Sequence, residues 1–395
     1  MKKLPPLLAV GLTLVTPFAP RLFSATPPPP PPQPGAELAG LTAEQTRAFR
    51  DGLQVFRVQK TAATGLGPIF NNVSCIVCHS AGGPGGDSPR NVTHFGRNTN
   101  GVFDPLSTLG GSLLQNSAIS AAAAEVIPMQ ANVIARRQST PIFGAGLIEA
   151  IPEATLLQNE ARPSVDGIRG KAARIVDIAS GQNAIGRFGW KAQQATLLAF
   201  SGDAFLNEMG ITNRLFPKEN APNGKADVLA QFDKGADPEA AVDPVTGKSE
   251  VDRAADFMRL LAPPPTLAPS ASAIAGSAIF RGIGCAQCHV PSMTTGPNAI
   301  AALSQKQVFL YSDLLLHGMG TLGDGIAQGA AGTREMKTAP LWGLRLSAPY
   351  LHDGRASTVD QAIRAHEGEG SVPRNRYNQL TPLQRQQLLD FLNTI

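Results

Sequence analysis

Four cysteines in 395 residues fall into two pairs, each followed directly by a histidine, and this pattern constrains the chain more than any other feature. The pairs are Cys75-Ile76-Val77-Cys78-His79 and Cys285-Ala286-Gln287-Cys288-His289. Each five-residue pattern is a c-type haem attachment signature. The spacing is chemical: thiols three residues apart reach the two vinyl groups on one haem edge, and the next histidine turns under the ring to ligate iron. A bare Cys-x-x-Cys also suits a redox disulfide or half of a zinc site. The histidine that directly follows both pairs is what those alternatives do not require and the haem signature does. Two covalently bound haem c groups, tethered by Cys75, Cys78, Cys285 and Cys288 and ligated by His79 and His289, account for every thiol.

A chain of this length accommodates two or three domains. The 40 glycines and 33 prolines exceed the usual share, and charged residues, at 16%, fall below the usual quarter. Helices joined by long ordered loops satisfy that balance. The expected fold class is mainly α, with two cytochrome-c-like haem domains carrying long loops and insertions. Formal charge is +4, of which Lys2, Lys3 and Arg21 lie in an apparent leader, so the remainder is close to neutral and nucleic acid is not an expected partner.

Residues 1–25 have the form of a signal peptide: Lys2 and Lys3, an apolar run from Leu4 to Val15, and small residues at Ser24-Ala25. The run is short for a bilayer span, so export to the periplasm without stable membrane insertion is expected. Residues 26–40 form a proline-rich linker that favours an extended spacer. Thr42 with Gln45 makes a capping box, and Phe49, Leu53 and Phe56 then recur at helical spacing. A fainter copy precedes the second motif, where Ala275-Gly276 to Phe280-Arg281 echoes Gly52 to Phe56-Arg57. The repeat predicts an N-terminal haem domain at 41–262 and a C-terminal one at 263–395, with the boundary near Pro263.

Between the motifs, Ala118 to Glu125 and Ser249 to Leu261 read as helices. Asn213 to Lys248 reads as a solvated loop without the spaced acidic pattern of an EF-hand, so calcium has no support. Thr358 with Gln361 and Thr381 with Gln384 open two more helices, the last carrying Leu388, Phe391 and Leu392. Four histidines remain as further iron ligands. His94 falls in a glycine-flanked loop after the first motif, and His366 in an exposed helix as a surface residue. His317 and Met319 share one loop, and His352 sits in Pro349-Tyr350-Leu351-His352. A thioether from Met319 raises a haem potential, whereas a second imidazole leaves it lower.

These residues resemble the bacterial di-haem cytochrome c peroxidase superfamily, and within it the branch called di-haem oxidoreductases, also labelled thiol oxidoreductases. The resemblance runs from Leu41 to Ile395 through several ordered motifs: Gly65 to Cys78, Phe143 to Pro152, Gly186 to Ala192, Asn207 to Thr212, Tyr311 to Gly320 and Pro340 to Ala356. It implies a periplasmic enzyme in which one haem takes up electrons from a small redox protein of cytochrome c or cupredoxin type. The other haem reduces hydrogen peroxide. It further implies that Glu208 is the acid/base over the peroxidatic iron and Trp190 the tryptophan between the haems. Glu149 and Arg137 either line the first haem pocket or serve in helix capping or salt bridges. Leu351 departs from the family's methionine ligand, so that ligand of the second haem is either absent or supplied by Met319 or His352. With all four cysteines consumed, thiol chemistry has no residue to run on. The rival activities are an oxygenase or maturase acting on an organic or protein substrate, and a non-catalytic electron carrier.

The doubled motif makes a direct prediction. Mass spectrometry of the exported chain should find two haem additions that survive acid extraction; one or none would end the di-haem reading.

Overall fold

In each half of the chain, the helix that leads into a Cys-x-x-Cys-His motif crosses a later helix at a glycine. The computed structural model describes Met1, residues 33–235, 239 and 241–395. The expected leader, apart from Met1, and the linker up to residue 32 lie outside the described residues. The end of the linker is pinned rather than free: Leu38 N donates to Leu260 O (2.8 Å) and Ala262 N to Ala36 O (2.9 Å).

Among the described residues the α-helices, in chain order, are α1 (Ala43–Arg57), α2 (Ala145–Glu149), α3 (Glu153–Glu160), α4 (Leu197–Met209), α5 (Ala226–Phe232), α6 (Glu250–Leu260), α7 (Ala271–Gly282), α8 (Val359–Arg364), α9 (Ser371–Gln379) and α10 (Pro382–Leu392). Local chemistry sets many of their starts. Thr42 and Gln45, Ser249 and Asp252, and Thr381 and Gln384 each form a reciprocal capping box, which satisfies two orphan backbone donors apiece. Thr358 caps α8 by accepting from Gln361 N.

α1 packs on α6, and α7 packs on α10. At Gly52 a Cβ would stand 2.1 Å from Arg253 O, and at Gly276 one would stand 1.9 Å from Gln387 O. Both crossings therefore bring helix surface against backbone at a distance only glycine permits. Four residues on, one turn along the same face, each glycine is followed by a phenylalanine. Phe56 packs on Phe257 (ring centroids 4.7 Å) and Phe280 on Phe391 (5.3 Å). The largest apolar cluster joins Phe56 and Phe257 to Leu310, Leu314 and Trp342, so it draws on both sides of Pro263. A second cluster gathers Phe280, Tyr377, Leu388 and Phe391.

Helix outweighs strand, 35% to 15%, so the mainly α expectation holds only in part. The strand share concentrates between the motifs. Asn91–Thr99 pairs antiparallel with Val102–Asp104, with Leu113–Leu114 and, over six residues, with Val133–Gln138. The expected helix from Ala118 to Glu125 does not form. Ser117–Ala118 instead pairs with Ile69–Phe70, a single 3₁₀ turn covers Ala121–Ala123, and the Glu125 carboxylate accepts from Gln115 N and Asn223 N, both at 2.9 Å. A short alanine-rich stretch has too little helical stability of its own to resist such tertiary pairing. The polar stretch from 213 to 248 holds α5, where only a loop was expected.

The crossing geometry yields a paired prediction. Gly276→Ala forces a methyl into Gln387 O and should lower stability by about 1–3 kcal/mol, the usual cost of overpacking. Gly282→Ala, at a helical glycine with nothing near the added Cβ, should be neutral or raise stability by about 0.5–1 kcal/mol. Thermal melts of the two variants check it, and an unchanged Tm for Gly276→Ala would contradict the crossing.

Candidate functional site

Cys75–Val77 forms a 3₁₀ turn, and Cys78 N and His79 N both return to Cys75 O at 3.1 and 3.0 Å. The turn packs behind α1, with the Phe56 and His79 rings 6.0 Å apart at 52°. Both cysteines and His79 open onto a cleft with ≈1660 Å³ of empty space, which Phe56, His94, Arg137 and Glu208 also line. Burial pushes His79 down to about 4, so the ring is neutral and retains a lone pair. Burial likewise pushes the Cys75 thiol up to about 12, away from the depressed values of thiolate ligands and redox cysteines.

This cleft is short of hydrogen-bond partners. Among the described residues, nine carry a buried side-chain nitrogen or oxygen with no partner, and Ser74, His79, His94, Arg137, Gln138, Gln193 and Ser201 all line it. Orphaned buried polar atoms are rare, so seven around one cleft mark the seat of a polar group. Glu208, at the end of α4, lines the same space and accepts from Asn71 Nδ2 at 2.9 Å. Burial pushes its carboxyl up to about 7, with the nearby Asp203 charge adding to the shift. Asp203, raised to about 6 by burial, is a second cleft carboxyl that the sequence reading missed.

The second motif repeats the first. Cys285–Gln287 is a 3₁₀ turn, His289 N returns to Cys285 O at 3.0 Å, and the Phe280 and His289 rings lie 6.5 Å apart at 51°. His289 Nδ1 donates to Tyr311 O at 3.0 Å. Tyr311 turns that carbonyl inward with a left-handed backbone (φ 52°), uncommon outside glycine. Burial pushes His289 down to about 4 and Cys285 up to about 12. Its cleft, with ≈1600 Å³ of empty space, is walled largely by apolar residues such as Leu341, Leu344, Leu388 and Leu392.

Trp190 lines both clefts. Its Nε1 donates to Gln138 O at 2.7 Å, and its ring meets His352 edge-on at 6.2 Å. The next residue anchors it: fully buried Lys191 bonds Asp324 Oδ1 at 2.9 Å, and Asp324 Oδ2 holds Arg137 Nε at 2.7 Å. Burial alone would raise the Asp324 carboxyl, but the Arg137 and Lys191 charges override it and hold it low.

The expected site residues thus divide between the clefts. Glu208 and His94 join Cys75, Cys78 and His79 on the first, Met319 and His352 join Cys285, Cys288 and His289 on the second, and Trp190 borders both. His94 is buried on the strand Asn91–Thr99 rather than in a loop, because pairing on both edges of that strand fixes it. Burial and the nearby Arg137 charge keep its ring neutral, at about 3. His366 is no surface residue of an exposed helix: α8 ends at Arg364, and the ring turns into the second cleft. The signal for it was the run Glu367-Gly368-Glu369-Gly370, which breaks helical continuation directly after the histidine. His317 is excluded as a ligand, since Nδ1 meets Glu369 Oε2 at 2.8 Å and Nε2 meets Asp313 Oδ2 at 2.9 Å. Burial opposes charge on that ring, but these hydrogen bonds and one with Cys288 raise it far above its usual value. Glu149 does not line the first cleft; it bonds Arg259 (2.8 Å) and accepts from Leu197 N at the start of α4 (2.7 Å).

Comparison with known proteins adds the family. No curated protein matches this sequence. Among solved structures, the chain is similar to the diheme peroxidase BthA from Burkholderia thailandensis E264, with 14% identity, 88% of this chain and 85% of that one covered, and a TM-score of 0.41. It is similar to a chain of Kuenenia stuttgartiensis hydrazine synthase at 14% identity, with 96% and 100% covered and a TM-score of 0.36. A MauG-like protein associated with microbial copper homeostasis shares 15% identity over 64% of this chain and 88% of its own, with a TM-score of 0.33. Likenesses this distant carry no weight beside the family match. Residues 115–395, more than two thirds of the chain, fit the family described as "Di-haem oxidoreductase, putative peroxidase", and the chain belongs to that family.

Proposed function

We propose that this protein is a periplasmic di-haem c-type peroxidase with two cytochrome-c-like haem lobes, at 41–262 and 263–395. Cys285, Cys288 and His289 would hold the haem that accepts electrons from a small redox protein, and Cys75, Cys78 and His79 would hold the one that supplies reduction of hydrogen peroxide. The observation that carries the reading is Glu208, a carboxyl raised to about 7 on the same cleft as His79.

Haem iron supplies the electron and oxygen chemistry; the chain supplies ligands, placement and proton transfer. His79 and His289, both neutral, are ready to ligate. Arg137 Nη2, buried without a partner, suits a haem propionate. A carboxyl that titrates near neutrality can take a proton from one peroxide oxygen and return it to the other, the two transfers that cleavage of the O–O bond requires. Asn71 holds Glu208 Oε2 in place and is itself held, its Oδ1 accepting from Asn116 N at 3.0 Å. Trp190, fixed by Gln138 O and anchored through Lys191, is the side chain through which electrons cross between the clefts.

Glu208→Gln keeps the shape and removes the base. Peroxide turnover by the half-reduced protein should fall by roughly 10²–10⁴-fold, with haem content and reduction spectra unchanged. Because the unprotonated carboxylate is the active form, wild-type turnover should rise as pH increases through about 7, and the Gln variant should lose that limb. A full rate in the variant would remove Glu208 from the chemistry. A wild type inert to peroxide would favour an oxygenase or a simple electron carrier, the latter requiring His94 to close the first iron.

A further inference from the structure

The second cleft contains a pair of imidazoles to which no role is yet given. The His289 and His366 rings lie 6.4 Å apart, centroid to centroid, at 62°. Two imidazoles bound to opposite sides of one metal, with metal–nitrogen bonds of about 2.0 Å, bring their centroids to roughly this separation. Both rings line the same cleft.

The tautomers agree. His289 Nδ1 lies 3.0 Å from Tyr311 O and His366 Nδ1 lies 2.8 Å from Ala362 O. A carbonyl only accepts, so each Nδ1 carries the proton and each Nε2 keeps its lone pair. Metal-bound histidines characteristically donate their other N–H in this way.

The segment that carries His366 is built to hold it. Arg374 Nη1 donates to His366 O and to Glu367 Oε1, both at 2.8 Å. Gly368 takes a left-handed backbone where a Cβ would strike Gly318 O at 2.1 Å. A Cβ on Gly370 would stand 3.0 Å from His366 Cβ and 3.1 Å from Cδ2, so this glycine leaves room for the ring. His366, not His352, is the imidazole whose ring meets His289. His352 lies edge-on to Trp190, and Leu351, where the related peroxidases carry a methionine ligand, has no donor atom.

We infer that His366 Nε2 is the axial ligand opposite His289, giving the second haem two imidazole ligands. The inference rests on the di-haem reading, and the test separates the two. Peptide mass analysis first establishes haem on Cys285 and Cys288. Its absence would sink the di-haem reading and the ligand together. EPR and near-infrared spectra of the ferric holoprotein should then show one low-spin haem without the charge-transfer band of a thioether ligand. His366→Ala should convert that one haem to high spin and let it bind carbon monoxide when reduced. His366→Met should stay low-spin, gain the thioether band and shift to a higher potential. Gly370→Ala should give a partial conversion in the same direction as His366→Ala. With haem present, an unmoved spin state and potential in His366→Ala would overturn the assignment. So would conversion by Met319→Ala or His352→Ala instead. If His366→Ala does not accumulate, His366→Met decides: the thioether band supports the ligand, and an unchanged spectrum refutes it.

Discussion

Two helix crossings, each closed on a glycine, set the geometry on which both clefts depend. Gly52 meets the backbone of α6 and Gly276 that of α10, closer than any side chain allows. Four residues later Phe56 and Phe280 bridge from the crossing to the motif histidine, at 6.0 and 6.5 Å and nearly the same angle. The histidine is thereby braced from behind while its own turn returns to the first cysteine of the motif. A larger residue at either glycine would move the brace and the histidine together, so packing and ligand placement are one constraint rather than two.

One side of that constraint was legible in the sequence because it is local, while its packing against the helices reached at Arg253 and Gln387 was not. The Cys-x-x-Cys-His patterns, the Gly-x-x-x-Phe echo before them and the Ser/Thr capping signals each span a handful of residues, and each appears in the structure where it was read. The sheet on Asn91–Thr99 was not legible. Its partner strands lie up to 47 residues away, between His94 in register with Ala135 and Asn91 with Gln138, and nothing in a short window reports such pairing. The same gap explains the histidines. His94 read as a loop residue and His366 as a surface one, and both are fixed inward by contacts made with distant segments.

Trp190 shows the same division between motif and placement. The segment Phe188-Gly189-Trp190-Lys191 could be matched to a family pattern, but its position depends on buried charge. Lys191 reaches Asp324, and Asp324 reaches Arg137 on the strand Val133–Gln138, whose next residue, Gln138, receives the indole N–H. Removing one member of a buried ion network leaves an uncompensated charge, so the wall between the clefts is held by electrostatics as much as by packing.

The two clefts share a brace but not a chemistry, and the reason lies in what each half of the chain inserts after its motif. Of the seven residues with orphaned polar atoms on the first cleft, only Ser74 and His79 come from the motif region. His94, Arg137, Gln138, Gln193 and Ser201 all come from the stretch between the motif and α6, as does Glu208. The corresponding stretch of the C-terminal half supplies leucines and the imidazole of His366, whose Nδ1 proton, like that of the motif's own His289, is already committed to a carbonyl. Buried polar atoms without partners cost free energy, and a fold keeps them where a bound group or substrate will use them. In the proposed reading the insertion is therefore what turns one copy of a repeated haem cradle into a place for proton transfer. The copy without it keeps a largely apolar cleft, suited to holding electrons.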